Sequence, residues 1–207
     1  MGFSAALSGC SVLILSGGRG SRMGGRDKGL IPWQGVPMIE WVHRQVRPLT
    51  DELIISCNRN IERYASLADL VVRDECKGFQ GPLAGIRMGL RAMTGDWLLV
   101  VPCDLPRIDH ELLEELYRAA QHSGGHSVLV KQGRHWQPLV CLLPRLALEE
   151  VDFAWSAGIR SPLRLWLGMK AHTLNYAEDD PRLFNCNSLE LLQPSRRIES
   201  IGATLGG

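Results

Sequence analysis

The sequence lacks several patterns that would assign it quickly to a class of protein. Its 207 residues contain no uninterrupted apolar run of about 18 residues, so we expect no membrane-spanning segment. Lysine and arginine number 23 against 22 aspartates and glutamates, and the formal net charge of +1 gives no general attraction to nucleic acid or to an anionic membrane. Internal repeats are absent, and this length predicts a single domain over 1–207.

The six cysteines also lack a pattern. They occupy positions 10, 57, 76, 103, 141 and 186, and no two of them form Cys-x-x-Cys. Their spacing matches neither a zinc site nor a disulfide framework, and several lie in apolar runs. We therefore expect small, buried thiols and a reducing, cytoplasmic compartment.

What the sequence does contain is a glycine-rich, cationic loop directly after its first apolar run. The run Val12–Leu15 predicts a strand buried on both faces, as in a parallel sheet. The loop that follows holds glycines at 17, 18, 20, 24 and 25 and the cations Arg19, Arg22, Arg26 and Lys28. Flexible backbone amides and positive charge at the carboxyl end of a strand favour a polyphosphate ligand.

Two well-known phosphate-binding templates do not fit this loop. A P-loop requires Ser or Thr after its lysine, whereas Lys28 is followed by Gly29. The dinucleotide fingerprint can be laid on Gly18 and Gly20, but Met23 then occupies the third glycine position, where close packing of helix on strand is needed. The loop is therefore interpreted as a polyphosphate site that matches neither template.

Apolar strand patterns alternate with helical ones along the whole chain. We expect strands at 11–15, 52–56, 70–72, 97–101, 127–131, 135–143 and 171–175, and helices near 37–49, 60–67, 82–93, 109–122 and 146–169, the last interrupted around Gly158 and Pro162. This order predicts an α/β fold: a three-layer, Rossmann-like, mainly parallel sheet with helices on both faces. Residues 1–10 are interpreted as a lead-in and 195–207 as a polar tail, both mobile.

Polar residues follow several of the predicted strands, where open α/β sheets bind ligands. Lys28 offers a compact charge for triphosphate oxygens, and Arg22 either shares that role or fixes the loop. Asp104, in the stiff turn between Pro102 and Pro106, is either a Mg²⁺ ligand or an aspartate that caps its own turn. We expect these groups to meet at one edge of the sheet.

Further polar groups complete the candidate site. Asn58 and Asp74 end the second and third strands, where an amide and a carboxylate together match the edge of a base or ribose. Gly81-Pro82-Leu83 is either a helix N-terminus that binds an anion or ordinary helix initiation. Asn185 and Asn187 precede a final predicted helix, and Asn187 also fits a simple N-cap.

The loop and six later segments together resemble the molybdenum cofactor guanylyltransferases, within the nucleotide-diphospho-sugar transferase-like superfamily. The loop motif is Leu-Ser-Gly-Gly-x-x-x-Arg-Met-Gly-Gly-x-Asp-Lys. The resemblance spans nearly the whole chain and covers Leu15–Lys28, Cys57–Arg59, Val72–Asp74, Gly81–Gly85, Pro102–Pro106, Gln137–Leu139 and Phe184–Leu191.

This resemblance implies transfer of GMP from GTP to molybdopterin-bound molybdenum, with release of pyrophosphate. It implies catalytic roles for Lys28, Arg22 and Asp104, with Mg²⁺ held by Asp104. It further implies nucleotide contacts by Leu15, Ser16, Gly17, Gly18, Lys28, Asn58, Asp74 and Asp104, and acceptor contacts by Gly81, Pro82, Leu83, Asn185 and Asn187. The implied partners are the two substrates and, transiently, the molybdenum cofactor insertion machinery, with neither nucleic acid nor membrane.

Two departures and two alternatives remain. Ser16 stands where alanine is frequent in the family, and the C-terminal motif reads Asn-Cys-Asn-Ser-Leu-Glu from Asn185, without the usual proline and second acid. The nearest alternative is a cytidylyltransferase or a sugar- or polyol-phosphate nucleotidyltransferase. The other alternative is a non-catalytic nucleotide-binding protein on the same fold, because fold alone does not assign function.

Overall fold

The computed structural model describes residues 6–17, 25–75 and 80–186, and these build a three-layer α/β fold. The strands are β1 (Cys10–Leu15), β2 (Pro32–Trp33), β3 (Val36–Pro37), β4 (Leu53–Ser56), β5 (Leu70–Val72), β6 (Trp97–Pro102), β7 (Val128–Gln132), β8 (His135–Pro144) and β9 (His172–Tyr176). The helices are α1 (Met38–Val46), α2 (Ile61–Ala65), α3 (Pro82–Ala92), α4 (His110–Gln121), α5 (Ala147–Ser156) and α6 (Pro162–Gly168). Short 3₁₀ turns cover Lys28–Leu30, Arg47–Leu49 and Pro181–Leu183.

The main sheet has seven strands in the order β5-β4-β1-β6-β8-β7-β9. Strands β5, β4, β1 and β6 are mutually parallel, β8 runs antiparallel to both of its neighbours, and β7 is parallel to β9. The chain leaves β1 towards β4 on one side and returns to β6 on the other. The carboxyl ends of β4, β1 and β6 therefore flank the kind of crevice in which open α/β sheets bind ligands.

Alternation along β1 explains why helices cover both faces of the sheet. Val12 and Ile14 face a core that also contains residues of α1, α2 and α4, whereas Leu13 and Leu15 face a second core built with α3, α5 and α6. All four side chains are buried, because successive side chains of a strand point to opposite faces. The predicted fold class and both layers of helices are thus confirmed.

Most predicted elements are present with their ends shifted by a residue or two. Asp109 caps α4 as expected, accepting a hydrogen bond from the Leu112 amide at 3.0 Å. The first predicted helix ends earlier than expected, because Pro48 follows it and the chain tightens into a 3₁₀ turn. No pattern had indicated the 3₁₀ turn Pro181–Leu183.

The expectation of a mobile lead-in over 1–10 is wrong for its last residues. Leu7 is buried and its amide donates to the Leu49 carbonyl at 2.7 Å, and Cys10 already belongs to β1. Burial of these two apolar side chains fixes the segment against the sheet. The expected mobile tail over 195–207 lies outside the described residues. No helix in the described ranges combines the length and the apolar character needed to cross a bilayer.

Candidate active site

A cavity of about 380 Å³ lies at the carboxyl ends of β1, β4, β5 and β6. Its size falls within the range of small-ligand sites. Nine of the residues singled out from the sequence line it: Leu15, Ser16, Gly17, Lys28, Asn58, Asp74, Gly81, Pro82 and Asp104. Backbone hydrogen bonds that continue the parallel ladder hold its floor, with the Ser16 amide donating to Ser56 and the Cys103 amide donating to Leu15.

Lys28 and Asp104 meet directly in this cavity. The Lys28 ammonium group donates a hydrogen bond to Asp104 Oδ2 and forms an ion pair with it. The Lys28 side chain is 28% exposed and the Asp104 side chain 11% exposed, so the pair opens towards the cavity on the lysine side. A cation and a hard carboxylate are therefore available together to an anionic ligand and its counter-ion.

Asn58 and Asp74 form a second polar pair at the opposite wall. The Asn58 amide group donates to Asp74 Oδ2 at 2.8 Å, and the Asp74 backbone amide donates back to Asn58 Oδ1 at 3.0 Å. Burial raises the pKa of the Asp74 carboxyl above its ordinary value, and the hydrogen bond from Asn58 offsets part of that rise. Because the two side chains fix each other, they present donors and acceptors in one defined arrangement.

The neighbouring thiols do not act as additional anionic ligands. Burial raises the pKa of the Cys103 thiol to about 12, and that of the Cys57 thiol to about 11. Both are therefore neutral near pH 7. The described cysteines are all free and buried, as expected: Cys10, Cys57, Cys103, Cys141 and Cys186.

The donor set fits one divalent cation shared with substrate phosphates. Among the residues that the structure describes, no three His, Cys, Asp or Glu side chains come together as a metal cage. Asp104 provides a single hard oxygen ligand beside an open cavity. Mg²⁺ is commonly held in this way, by one or two carboxylates with phosphate oxygens and water completing its shell.

The predicted acceptor residues differ in where they lie relative to the cavity. Gly81 and Pro82 line the cavity, and Gly81 takes φ +87°, which only glycine adopts easily. Asn185 does not line the cavity but lies close to it. The backbone amide of the following residue, Cys186, donates a hydrogen bond to the Asp104 carbonyl at 2.9 Å. The Leu83 side chain is fully buried in the core beneath α3, since the first turn of that helix points it at the sheet, which leaves only the Leu83 backbone for the predicted acceptor contact. Gly18, Arg22 and Asn187 lie outside the described residues and stay predictions.

Some lining residues were not singled out from the sequence as site residues: Asp27, Ser56, Gly85, Pro102, Cys103 and Leu139. Ser56 ends β4, Pro102 ends β6 and Cys103 follows it, so the strand-end rule that found Asn58 would have found them too. Gly85 lies in α3, where an added Cβ would approach Ser56 Oγ to 2.5 Å. Leu139 comes from the antiparallel strand β8, whose place in the sheet no local pattern reveals.

One buried polar atom in the site lacks a hydrogen bond. The Ser16 hydroxyl forms none of acceptable geometry with any described residue, although the Tyr64 hydroxyl and the Cys103 thiol lie near enough to interact with it. Ser16 is 8% exposed, so bulk water does not satisfy the group. An unpaired buried hydroxyl costs stability.

Comparison with known proteins shows the family of the chain. The family model described as the MobA-like NTP transferase domain matches residues 12–172. A molybdenum cofactor guanylyltransferase from Pseudomonas aeruginosa is 53% identical over 195 residues, which cover 94% of this chain and 98% of that protein. Relatives from other Pseudomonas species carry the same name at similar identity.

Solved structures show the same architecture. Molybdopterin-guanine dinucleotide biosynthesis protein A from Archaeoglobus fulgidus superposes with a TM-score of 0.72 at 26% identity, covering 88% of this chain and 94% of that one. The 2-C-methyl-D-erythritol 4-phosphate cytidylyltransferase from Thermus thermophilus superposes at 0.67 with 18% identity, over 88% of this chain and 94% of that one. At that identity the second likeness shows the fold alone.

Proposed function

The chain belongs to the molybdenum cofactor guanylyltransferases of the MobA-like NTP transferase family, and on that premise we propose that it transfers GMP from GTP to molybdopterin-bound molybdenum. The products are the guanine dinucleotide cofactor and pyrophosphate. The observation that carries the proposal is the convergence of the Lys28–Asp104 and Asn58–Asp74 pairs on one cavity. The cytidylyltransferase alternative is not favoured, because relatives with 53% and 54% sequence identity to this chain are named guanylyltransferases.

In this mechanism the protein positions two phosphates and stabilises charge. A terminal phosphate oxygen of the pterin forms a bond to the α-phosphorus of GTP while the bond to the β-phosphate breaks, and pyrophosphate leaves in line. Lys28 holds triphosphate oxygens and offsets the negative charge that develops on the leaving group. Arg22 remains the second cation proposed for this role.

Enzymes of this family use a divalent metal ion, and we propose Mg²⁺ with Asp104 as its protein ligand. Bound there, Mg²⁺ supplies charge neutralisation for the triphosphate. Lys28 is hydrogen-bonded to the same carboxylate, so Asp104 also fixes where the lysine lies before substrate enters. This dual contact makes Asp104 the side chain on which the arrangement of charges depends most.

The nucleotide base is assigned to the wall formed by Asn58 and Asp74. An ionised Asp74 carboxylate accepts hydrogen bonds from the N1–H and N2–H₂ groups of guanine, which cytosine and adenine do not present in that combination. The backbone of Leu15–Gly17 lies at the cavity floor for the triphosphate, and Gly81 and Pro82 line the side proposed for the acceptor. We also assign the reaction to the cytoplasm, where free thiols such as Cys103 stay reduced.

The test is product formation by the purified chain. With GTP, Mg²⁺ and molybdopterin-bound molybdenum, we expect pyrophosphate and a guanine dinucleotide by mass spectrometry, and little product with CTP or ATP. Protection against heat should follow the same order of nucleotides. A chain that binds GTP but releases no pyrophosphate with a competent acceptor would instead be a non-catalytic nucleotide-binding protein.

A further inference from the structure

Asp27, the residue before Lys28, is held by a different part of the chain. It occupies the N-cap position of the 3₁₀ turn Lys28–Leu30, yet its side chain makes no capping hydrogen bond. Instead Oδ1 accepts a hydrogen bond from the Tyr64 hydroxyl at 2.6 Å, and Oδ2 accepts one from the Asn60 amide group at 2.8 Å. An N-cap carboxylate ordinarily accepts a hydrogen bond from its own turn, whereas that of Asp27 is hydrogen-bonded to α2 and to the residue that precedes α2.

The buried position of Tyr64 directs its hydroxyl group at Asp27. Its side chain is fully buried in the core between α2 and the sheet, so only its hydroxyl reaches the loop. Burial, and then the hydrogen bond to Asp27, raise the pKa of the phenol far above its ordinary value. The hydroxyl therefore stays protonated and donates to the carboxylate, a charge-assisted hydrogen bond of the stronger kind.

The loop lies directly on this hydroxyl. A Cβ added to Gly29 would overlap the Ser16 hydroxyl oxygen and would come within 2.7 Å of the Tyr64 hydroxyl oxygen. Gly29 is therefore the residue that allows the backbone on the far side of Lys28 to approach Tyr64 so closely. Lys28 therefore lies between Asp27, which accepts the hydrogen bond from Tyr64, and Gly29, where the Tyr64 hydroxyl leaves no room for a side chain.

A second contact from the same segment supports the first. Asn60 takes φ +52°, a left-handed conformation that asparagine tolerates better than most residues, at the start of α2. The preceding residue, Arg59, donates from its guanidinium to the Gly25 carbonyl at 2.8 Å. The turn before α2 is thus hydrogen-bonded to the loop at two residues, Gly25 and Asp27.

From these contacts we propose that Tyr64 is a positioning residue for guanylyl transfer, acting on Lys28 through Asp27. The inference rests on the proposed function, because it assigns Lys28 to the triphosphate. The Tyr64 hydroxyl fixes the Asp27 carboxylate, this fixes the backbone at Lys28, and the ammonium group is then aimed across the cavity at Asp104. Without the hydroxyl, Lys28 has more positions to occupy and spends less time where the triphosphate needs it.

The test compares two tyrosine-to-phenylalanine variants that remove the same kind of hydrogen bond. Tyr64→Phe removes the 2.6 Å bond to Asp27, and Tyr176→Phe removes a 2.6 Å bond to Glu115 outside the site. For Tyr64→Phe we expect kcat/KM for GTP to fall about tenfold and the Kd of GTP, measured by calorimetry without acceptor, to rise, with KM for the acceptor unchanged. For Tyr176→Phe these three quantities should stay at their wild-type values.

A double-mutant cycle decides whether Tyr64 acts through Asp27. Asp27→Ala should lower kcat/KM for GTP as well, and Tyr64→Phe should add almost nothing to it, since the contact is already gone. The proposal would be overturned if the double variant lost kcat/KM for GTP by the product of the two single factors. It would also be overturned if Tyr64→Phe lowered only the thermal stability of the protein. Because Asp27 lies in a surface loop, its variant remains usable even where Tyr64→Phe fails to fold. A wild-type chain without guanylyl transfer would refute the proposed function instead.

Discussion

The Lys28 ammonium group is hydrogen-bonded to the Asp104 carboxylate, although 76 positions of sequence separate the two residues. Lysine follows the first strand and aspartate follows the fourth strand of the parallel set, and the sheet places those strand ends side by side. Each side chain alone has an ordinary explanation, as a surface lysine or a turn aspartate. Their contact inside a cavity that Asn58 and Asp74 also line is what favours a nucleotide–metal site.

Asp104→Ala should lower turnover on the order of 10²–10³-fold, because it removes the proposed metal ligand and the ion-pair partner of Lys28. The measurement is steady-state pyrophosphate release at saturating Mg²⁺. Asp179→Ala, a truncation of an exposed aspartate outside the cavity, is the matched control and should keep the wild-type rate. Wild-type turnover in Asp104→Ala would remove this residue from the mechanism.

Asp74→Asn should weaken selection of GTP over ATP. The amide keeps the shape and the contact with Asn58 but replaces an acceptor by a donor opposite the guanine N1–H and N2–H₂ groups. We expect kcat/KM for GTP to fall on the order of 10- to 100-fold while that for ATP changes little. Equal losses for both nucleotides would place the base elsewhere in the cavity.

The same carboxylate gives the protein a pH dependence of defined sign. Burial raises the pKa of Asp74 in the folded chain, so its contribution to stability is present at low pH and is lost as pH rises through that raised pKa. The proposed contact with guanine needs the ionised form, so GTP binding should weaken as pH falls through the same pKa. Thermal melts and GTP titrations of wild type and Asp74→Asn, each carried out from acid to neutral pH, should show both trends only in wild type.

How far the sequence predicts the site depends on which kind of contact is involved. Asn58, Asp74 and Asp104 are recognisable because each follows an apolar strand, and parallel strands bring such ends to one edge. A motif does not say which way each of its side chains points, and the helix turns the Leu83 side chain into the core. A sequence pattern locates backbone far better than it orients side chains.

Contacts between distant segments were beyond reach for a related reason. Nothing in the local sequence links Asp27 with Tyr64, 37 positions apart, since the contact exists only once α2 packs beside the loop. The antiparallel course of β8 was likewise unspecified, although its apolar run was recognised, because strand direction is set by tertiary packing rather than by periodicity. Leu139 joins the cavity as a consequence of that course.

Gly29→Ala should destabilise the protein and disturb the loop, because the new methyl group overlaps the Ser16 hydroxyl and presses on that of Tyr64. Overpacking of this kind costs about 1–3 kcal/mol in free energy of unfolding. Gly168→Ala is the matched control, because an added Cβ there meets no heavy atom within 4 Å. Chemical denaturation of the two variants should separate them clearly, and equal stability would contradict the close approach of the loop.

Ser16→Ala should stabilise the fold. The variant removes a buried hydroxyl that makes no hydrogen bond in the described structure, which should add about 1 kcal/mol and raise the thermal midpoint by about 2–4 °C. Ser123→Ala is the opposite case, since the single proton of the Ser123 hydroxyl has two carbonyl acceptors within reach, Ala120 at 2.8 Å and His126 at 2.7 Å, and its loss should lower the midpoint. A lower midpoint for Ser16→Ala would mean that its hydroxyl is paired in solution.

Asn185→Ala should impair use of the acceptor without impairing use of GTP. The segment that carries Asn185 is fastened beside the cavity by a chain of amides: Gln137 donates to Gln132 at 2.9 Å and to the Leu183 carbonyl at 3.3 Å, and Asn185 donates to Gln137 at 3.5 Å. Because the hydrogen bond from Asn185 to Gln137 is long and therefore weak, the Asn185 amide group can give it up to bind a ligand.

We therefore expect KM for molybdopterin-bound molybdenum to rise about tenfold in Asn185→Ala, with the Kd of GTP unchanged. Gln137→Ala, which loosens the segment without removing its asparagine, should raise the same KM by a smaller factor. Initial-rate kinetics with each substrate varied in turn measure both effects. A change confined to GTP in either variant would move Asn185 from the acceptor side to the nucleotide side of the cavity.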